Sequence, residues 1–144
     1  MSDITETCPR EAPAVVVIDD DGEVRGLLQE TLQLEGFAVR AAADGAEGLA
    51  LIEEQRPDCV VLDLMMPHLD GHSVLRRLRE RHGFGVPVIM LTAASDDDQA
   101  WQAWAGGVDC FMAKPFEIEE LVHRVDTLSA ASARDAGSGA PAAG

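Results

Sequence analysis

Polar residues of types suited to phosphate chemistry follow four short apolar segments of this chain. In chain order they are the pair Asp19 and Asp20, then Asp63, Thr92 and Lys114. A carboxylate can act as a nucleophile or bind a hard cation, whereas an ammonium and a hydroxyl can hold an anion. If the fold gathers these side chains, the set predicts a phosphoryl-transfer site.

The three carboxylates need a compensating charge. Crowded at one place, each resists ionisation unless a cation lies between them. Mg²⁺ fits, because it keeps several waters and takes only one or two carboxylates, which leaves a position for a phosphoryl oxygen. An acidic cap on the following helix is the alternative, and it explains Asp21 but neither Asp63 nor Lys114.

Lys114 is the only lysine among eleven basic residues. Its compact charge on a flexible stem suits a phosphate oxygen or a carboxylate in a narrow crevice, where a planar guanidinium would need a forked partner. The hydroxyl of Thr92 could donate to the same phosphate. We therefore interpret Lys114 as a site residue.

Strands and helices alternate along the segments that must position these residues. Strands are predicted at 14–18, 37–41, 60–62, 86–91 and 108–112, each followed by apolar residues at helical spacing. The fourth helix would carry Trp101 and Trp104, and the last would run from Ile118 to Leu128. Five strands alternating with five helices predict an α/β fold, a doubly wound five-stranded parallel sheet covered on both faces. The carboxyl ends of the strands then share the edge where such folds bind ligands.

Composition and charge exclude several classes. The 144 residues fit one domain at 13–128, with a flexible arm at 1–12 and an Ala/Gly/Ser-rich tail at 129–144. The formal net charge of −15 disfavours direct contact with nucleic acid, and no apolar run approaches the roughly 20 residues of a membrane span. The acidic N-terminus has no signal-peptide pattern, so we expect a cytoplasmic protein.

Cysteines and histidines show no metal-binding spacing. Cys8, Cys59 and Cys110 are odd in number and far apart, which favours buried thiols over disulfides or zinc ligands. The four histidines are predicted to be solvated: they are His68, His72, His82 and His123. The basic run at 76–81 is interpreted as a solvated helix face.

Taken in order, the motifs resemble the response-regulator receiver domain of two-component signalling over about 13–128. The matching segments are V-V-V-I-D-D-D, V-V-L-D-L-M-M-P-H-L-D-G, V-I-M-L-T-A and G-V-D-C-F-M-A-K-P-F. Each is weak alone, but the ordered set is specific. The resemblance implies a flavodoxin-like receiver fold and a signalling phosphoacceptor rather than an enzyme.

By this resemblance, Asp63 would accept a phosphoryl group from a sensor histidine kinase or phosphotransfer protein. Asp20, Asp63 and the backbone carbonyl of Met65 would bind Mg²⁺, with Asp19 acting largely through water. Lys114 would grip the phosphate.

The same resemblance implies roles in phosphate contact and switching for two further residues. Thr92 would contact the phosphate and act as the switch hydroxyl, and Phe111 would be the aromatic that changes rotamer. Because the chain has no tyrosine, a switch through a phenolic hydroxyl is excluded.

Two other functions compete with this interpretation. Asp19-Asp20-Asp21-Gly22 also fits a haloacid-dehalogenase-like phosphatase with Asp19 as nucleophile, but that leaves Asp63 unexplained. A receiver fold that has lost phosphorylation is disfavoured, because every acceptor-site residue is present.

Two structural expectations complete the sequence reading. The Lys114–Pro115 bond is predicted to be cis, since an abrupt turn there aims the lysine into the crevice. Trp104 is predicted to be exposed, forming with Phe111 and the last helix a surface for an effector protein or a second copy.

Overall fold

One parallel sheet organises the structure, a computed structural model that describes residues 12–64, 66, 69–83, 85–93 and 107–143. Its strands are β1 (Ala14–Ile18), β2 (Ala38–Ala42), β3 (Cys59–Asp63), β4 (Val88–Ala93) and β5 (Cys110–Lys114). Their order is β2-β1-β3-β4-β5, and every neighbouring pair is parallel. β3, which ends on Asp63, therefore lies at the centre of the sheet. The predicted α/β fold with a five-stranded parallel sheet is confirmed.

Four helices are described: α1 (Gly22–Leu34), α2 (Gly45–Glu54), α3 (Gly71–His82) and α4 (Ile118–Ala143). Aspartate side chains cap the first three of them by accepting hydrogen bonds from first-turn backbone N–H groups. Asp21, the cap of α1, accepts from Glu23 and Val24. The predicted helix through Trp101 and Trp104 lies outside the described residues.

Alternating side chains of the strands face two separate apolar layers. Val16, Ile18, Val60 and Leu62 belong to one layer, with residues of α2 and α3. Their neighbours Val15, Val17, Cys59 and Val61 belong to the other layer, with residues of α1 and α4. A strand that is buried on both faces favours apolar residues throughout, and β1 and β3 are continuous apolar runs up to Asp63 at the end of β3.

The last two strands begin and end two residues later than predicted. Pro87 cannot donate to a ladder, so β4 starts only at Val88. The ladder then continues through Thr92 opposite Ala113 and Ala93 opposite Lys114. Thr92 and Lys114 are thus part of the sheet rather than of the loops after it.

The last helix also differs from the prediction. It continues to Ala143, whereas we expected it to end near Leu128. That expectation rested on the Ala, Ser, Gly and Pro composition from Ser129 onward, and the assignment of residues 129–144 as a tail outside the domain stays a prediction. Alanine, which has the highest helix propensity, predominates from residue 130 to 136 and favours a continuing helix there.

Arg79 corrects the interpretation of residues 76–81 as a solvated face. Its side chain is only 8% exposed and lies 3.2 Å from Asp109 Oδ2. It also donates to the backbone carbonyls of Gly83, Val86 and Gly107 at 2.6–3.1 Å. Arg79 therefore joins the end of α3 to the segments that lead into β4 and β5.

Two histidines are less solvated than predicted. His82 Nε2 lies 3.3 Å from Glu53 Oε2, and the Nε2 atom of His72 is buried with no hydrogen-bond partner in the described part of the chain. His123 is exposed, as expected, and His68 lies outside the described residues.

Within the part of the chain that the structure describes, no helix is long and apolar enough to cross a membrane.

Candidate functional site

Three carboxylates meet where β1 and β3 end. Asp19 follows β1 directly and is fully buried, Asp63 is the last residue of β3 and is 5% exposed, and Asp20 is exposed. One carboxylate oxygen from each lies within 4.8 Å of the other two. The parallel sheet thus brings together residues that are more than 40 positions apart in the chain.

Backbone and side-chain hydrogen bonds hold Asp19 on several sides. Its N–H donates to the Ala42 carbonyl at 3.2 Å, and its Oδ1 accepts from the Asp21 N–H at 2.9 Å. The guanidinium of Arg25 donates through Nη1 to the Asp19 carbonyl at 2.9 Å. Sequence reasoning missed Arg25, because an arginine one turn into an amphipathic helix is indistinguishable by pattern from a solvated one.

Lys114 reaches this group from β5, across β4. Its Nζ atom lies 3.2 Å from Asp19 Oδ2 and 3.4 Å from Asp63 Oδ1. The Lys114–Pro115 peptide bond is cis, as predicted. The chain's only lysine therefore contacts two of the three predicted metal-binding carboxylates.

Burial and like charge make Asp63 hard to ionise. Desolvation, followed by repulsion from Asp19, raises the pKa of Asp63 to about 7, although Lys114 opposes the change. Partial burial acts to lower the pKa of Lys114, but the charges of Asp63 and Asp19 outweigh it and the pKa is raised. The ammonium therefore offsets only part of the negative charge.

Thr92 and Phe111 lie on β4 and β5, on the side of the site that faces the β5 edge of the sheet. Thr92 is buried in β4, directly after Leu91, which pairs with Asp63. Phe111 is half-buried on β5 and packs against the apolar layer that faces α2 and α3. Met65, predicted to offer its carbonyl, lies outside the described residues.

Gly71 lets the loop after β3 close tightly over the strand end. Its N–H donates to the Leu64 carbonyl at 2.8 Å. A Cβ atom at this position would lie 2.7 Å from both the Asp63 carbonyl oxygen and the Leu64 Cα atom. The Asp70-Gly71 pair thus combines a helix cap with a close approach to the site residue.

The donor set fits a hard divalent cation. Three carboxylates close to one another offer oxygen ligands of the kind Mg²⁺ prefers. Burial, followed by the charge of Asp19, raises the pKa of Asp63 although Lys114 acts in the other direction, so a divalent cation would favour the ionised carboxylate.

Comparison with known proteins assigns a family to most of the chain. Residues 15–126 match the family model for the response regulator receiver domain. The response regulator MprA of Mycobacterium sp. (strain KMS) is 41% identical over 128 residues, which cover 89% of this chain and 55% of that protein. The transcriptional regulatory protein PrrA of Mycobacterium tuberculosis is 45% identical over 117 residues, or 81% of this chain and 50% of that protein. The chain thus spans about half the length of these curated relatives.

A solved structure agrees with these relatives. The receiver domain of the Francisella response regulator 1452 has 36% identity and a TM-score of 0.77, covering 83% of this chain and 98% of that one. The family match includes Asp63 as well as the acidic pair, and the comparisons give no support to the phosphatase alternative. The chain therefore belongs to the response regulator receiver domain family, as its ordered motifs predict.

Proposed function

We propose that this domain is a phosphoacceptor in which Asp63 receives a phosphoryl group from a sensor histidine kinase or a phosphotransfer protein. One observation supports it most directly: the Asp63 carboxylate ends the central strand with Lys114 Nζ at 3.4 Å and two more carboxylates beside it. A nucleophile, a fixed cation and oxygen ligands for a metal are the parts that phosphoryl transfer requires.

The transfer itself exchanges one bond to phosphorus for another. An oxygen of Asp63 attacks the phosphorus, the phosphorus–nitrogen bond to the donor histidine breaks, and the imidazole leaves with the bonding electrons. Mg²⁺, when held by Asp20, Asp63 and the carbonyl of Met65, with Asp19 acting through water, would supply positive charge for the phosphoryl oxygens. The product is an aspartyl phosphate.

Lys114 and Thr92 bind the phosphoryl group in this proposal. The ammonium, now shared between Asp19 and Asp63, donates to one phosphoryl oxygen, and the Thr92 hydroxyl donates to another. Charge neutralisation and positioning account for most of the rate in such reactions. The domain assists its own phosphorylation and dephosphorylation, and we regard it as a signalling protein rather than an enzyme.

The decisive experiment is to locate the phosphoryl group. Native protein, Asp63→Asn and the matched control Asp126→Asn, an exposed aspartate of α4, are incubated with a small acyl-phosphate donor and Mg²⁺ and analysed by intact-mass spectrometry. We expect one added phosphoryl group on the native protein and the control, and none on Asp63→Asn. Undiminished labelling of Asp63→Asn would refute the proposal, and a phosphoryl group that maps to Asp19 of the native protein would favour the phosphatase mechanism.

The proposed location and partners follow from the same function. The unpaired, buried thiols of Cys59 and Cys110 suit a reducing compartment, so we place the domain in the cytoplasm with its kinase. PrrA is named a transcriptional regulatory protein, which suggests an output on transcription. The net charge of −15 supports our view that this domain does not itself contact nucleic acid.

For the output we propose that phosphorylation changes the surface formed by Trp104, Phe111 and the outer face of α4. Phe111 is half-buried. Because its ring carries no hydroxyl that would need a hydrogen-bond partner, it can turn inward. Trp104 lies outside the described residues, and its exposure stays a prediction. Tryptophan fluorescence of Trp101→Phe should respond to phosphorylation and to an effector or second copy, whereas the same variant carrying Asp63→Asn should not respond to the phosphodonor. A Trp101→Phe signal that is indifferent to both would remove Trp104 from this surface.

A further inference from the structure

We infer that Arg25 is a positioning residue for the metal-binding carboxylates, and this inference rests on the proposed Mg²⁺ site. Arg25 lies in the first turns of α1, six residues after Asp19. Its Nη1 atom donates to the backbone carbonyl of Asp19 at 2.9 Å. It thereby ties the helix to the peptide group that joins Asp19 to Asp20.

The position of that peptide group decides where Asp20 points. β1 ends at Ile18, and the Asp19 N–H makes the last hydrogen bond to β2, so the sheet ladder no longer defines the backbone at Asp20. On the other side, the Asp21 N–H is held by Asp19 Oδ1 at 2.9 Å. Asp20 itself is exposed, so solvent rather than packed side chains surrounds most of its carboxylate. Arg25 therefore supplies a hydrogen bond that limits rotation of the peptide immediately before the exposed ligand.

A charged donor suits this role better than a neutral one. A hydrogen bond from a guanidinium is charge-assisted and therefore stronger than one from a neutral donor. Arg25 binds the carbonyl rather than a carboxylate oxygen, which leaves the carboxylates available to a cation. Loss of the guanidinium should consequently weaken metal binding more than it weakens the fold.

Arg40 offers a matched control. It lies on β2 and donates to two backbone carbonyls at the end of α2, Leu51 and Gln55, both at 2.7 Å. Arg40→Met removes the same charge as Arg25→Met and breaks more hydrogen bonds to the backbone. The partners of Arg40 are at the carboxyl end of α2. That end lies by the amino ends of the strands, whereas the site lies at their carboxyl ends.

The test is the affinity for Mg²⁺, measured by isothermal titration calorimetry on the native chain, Arg25→Met and Arg40→Met. We expect the Kd of Arg25→Met to rise roughly 5- to 20-fold, the effect of losing one charge-assisted hydrogen bond, and that of Arg40→Met to stay within about twofold of native. Repeating the titrations at about 0.1 and 0.5 M KCl separates positioning from the long-range repulsion between the guanidinium and Mg²⁺, because salt screens only the repulsion. Amide hydrogen exchange at Asp21 should also be faster in Arg25→Met.

Three results would overturn the inference. They are a Kd for Arg25→Met within about twofold of that for Arg40→Met, a difference that vanishes at high salt, and unchanged exchange at Asp21. If the native chain binds no Mg²⁺, the proposed metal site fails together with the inference. If the native chain binds Mg²⁺ and Arg25→Met binds it equally well, the inference about Arg25 fails but the proposed metal site stands.

Discussion

Asp63→Asn should make the metal-free protein more stable, although it removes the residue on which the proposed function depends. Asp63 is 5% exposed, its neighbours include the carboxylates of Asp19 and Asp20, and Lys114 offsets only part of their charge. Asparagine has almost the same shape and carries no charge. The substitution therefore removes repulsion without opening a cavity.

The size of the effect follows from the proton affinity of Asp63. Its pKa rises from an ordinary 3.8 to about 7 in the folded protein. At roughly 1.4 kcal/mol for each tenfold change in proton affinity, ionised Asp63 costs at most about 4 kcal/mol. Water that enters the crevice reduces this cost, so we expect a gain of about 1–2 kcal/mol in the free energy of unfolding. For a domain of this size that corresponds to an increase of roughly 3–8 °C in Tm.

The effect should depend on pH with a definite sign. A carboxyl whose pKa is raised by folding is not destabilising below its unfolded pKa, near 4, and becomes fully destabilising above about pH 7. The variant should therefore gain most at pH 8 and little at pH 4.5. The opposite change, Lys114→Met, removes the cation that faces Asp19 and Asp63 and should lower stability at pH 8.

Urea unfolding followed by circular dichroism in EDTA at both pH values provides the measurement. Excess Mg²⁺ should raise the midpoint of the native protein much more than that of Asp63→Asn, because only binding to the folded state stabilises it. An Asp63→Asn variant that is equally stable or less stable than native protein at pH 8 without metal would show that the carboxylates are not in conflict, and the electrostatic argument would be wrong.

Two further substitutions test the supports of the site. Arg79→Met should lower the unfolding free energy by about 2–4 kcal/mol, because it leaves three backbone carbonyls without their charged donor and removes the ion partner of Asp109, which keeps the Val88 N–H. The exposed neighbour Arg76 gives the control Arg76→Met, expected within about 0.5 kcal/mol of native by urea unfolding. Gly71→Ala should cost about 1–3 kcal/mol, since its Cβ would meet the Asp63 carbonyl at 2.7 Å. It should also displace the Asp63 carboxylate and weaken Mg²⁺ binding. A Mg²⁺ affinity of Gly71→Ala equal to that of the native protein, measured by calorimetry, would contradict this.

The sheet and its site were predictable because each signal was local and repeated. Apolar runs buried on both faces are typical of parallel strands, and their C-terminal ends must share an edge. Asp19, Asp63 and Lys114 could therefore be placed together without knowing any distance. The cis bond before Pro115 followed from the need to turn the lysine into the crevice, and the structure has it.

Interpretations of the sequence were wrong where tertiary contacts override a local pattern. Arg79 and Arg25 occupy helix positions that look solvated, and only the packing of other segments supplies the carbonyls they bind. The end of the last helix was missed for the converse reason. An apolar stripe indicates that a helix is packed, but its loss at Leu128 does not end a helix whose next residues are mainly alanine.

The distribution of fixed and free groups around Asp63 suggests which way a signal would leave the site. On the β1 side, Asp19 is held by Ala42, by the Asp21 N–H and by Arg25, so this side resists rearrangement. On the other side, Lys114 contacts Asp19 and Asp63 at 3.2 and 3.4 Å through a flexible side chain that is partly exposed. A phosphoryl group on Asp63 adds negative charge and new acceptor oxygens. The groups that can move to meet it lie on β4 and β5, so the proposed conformational change should spread toward the β5 edge of the sheet rather than toward β2.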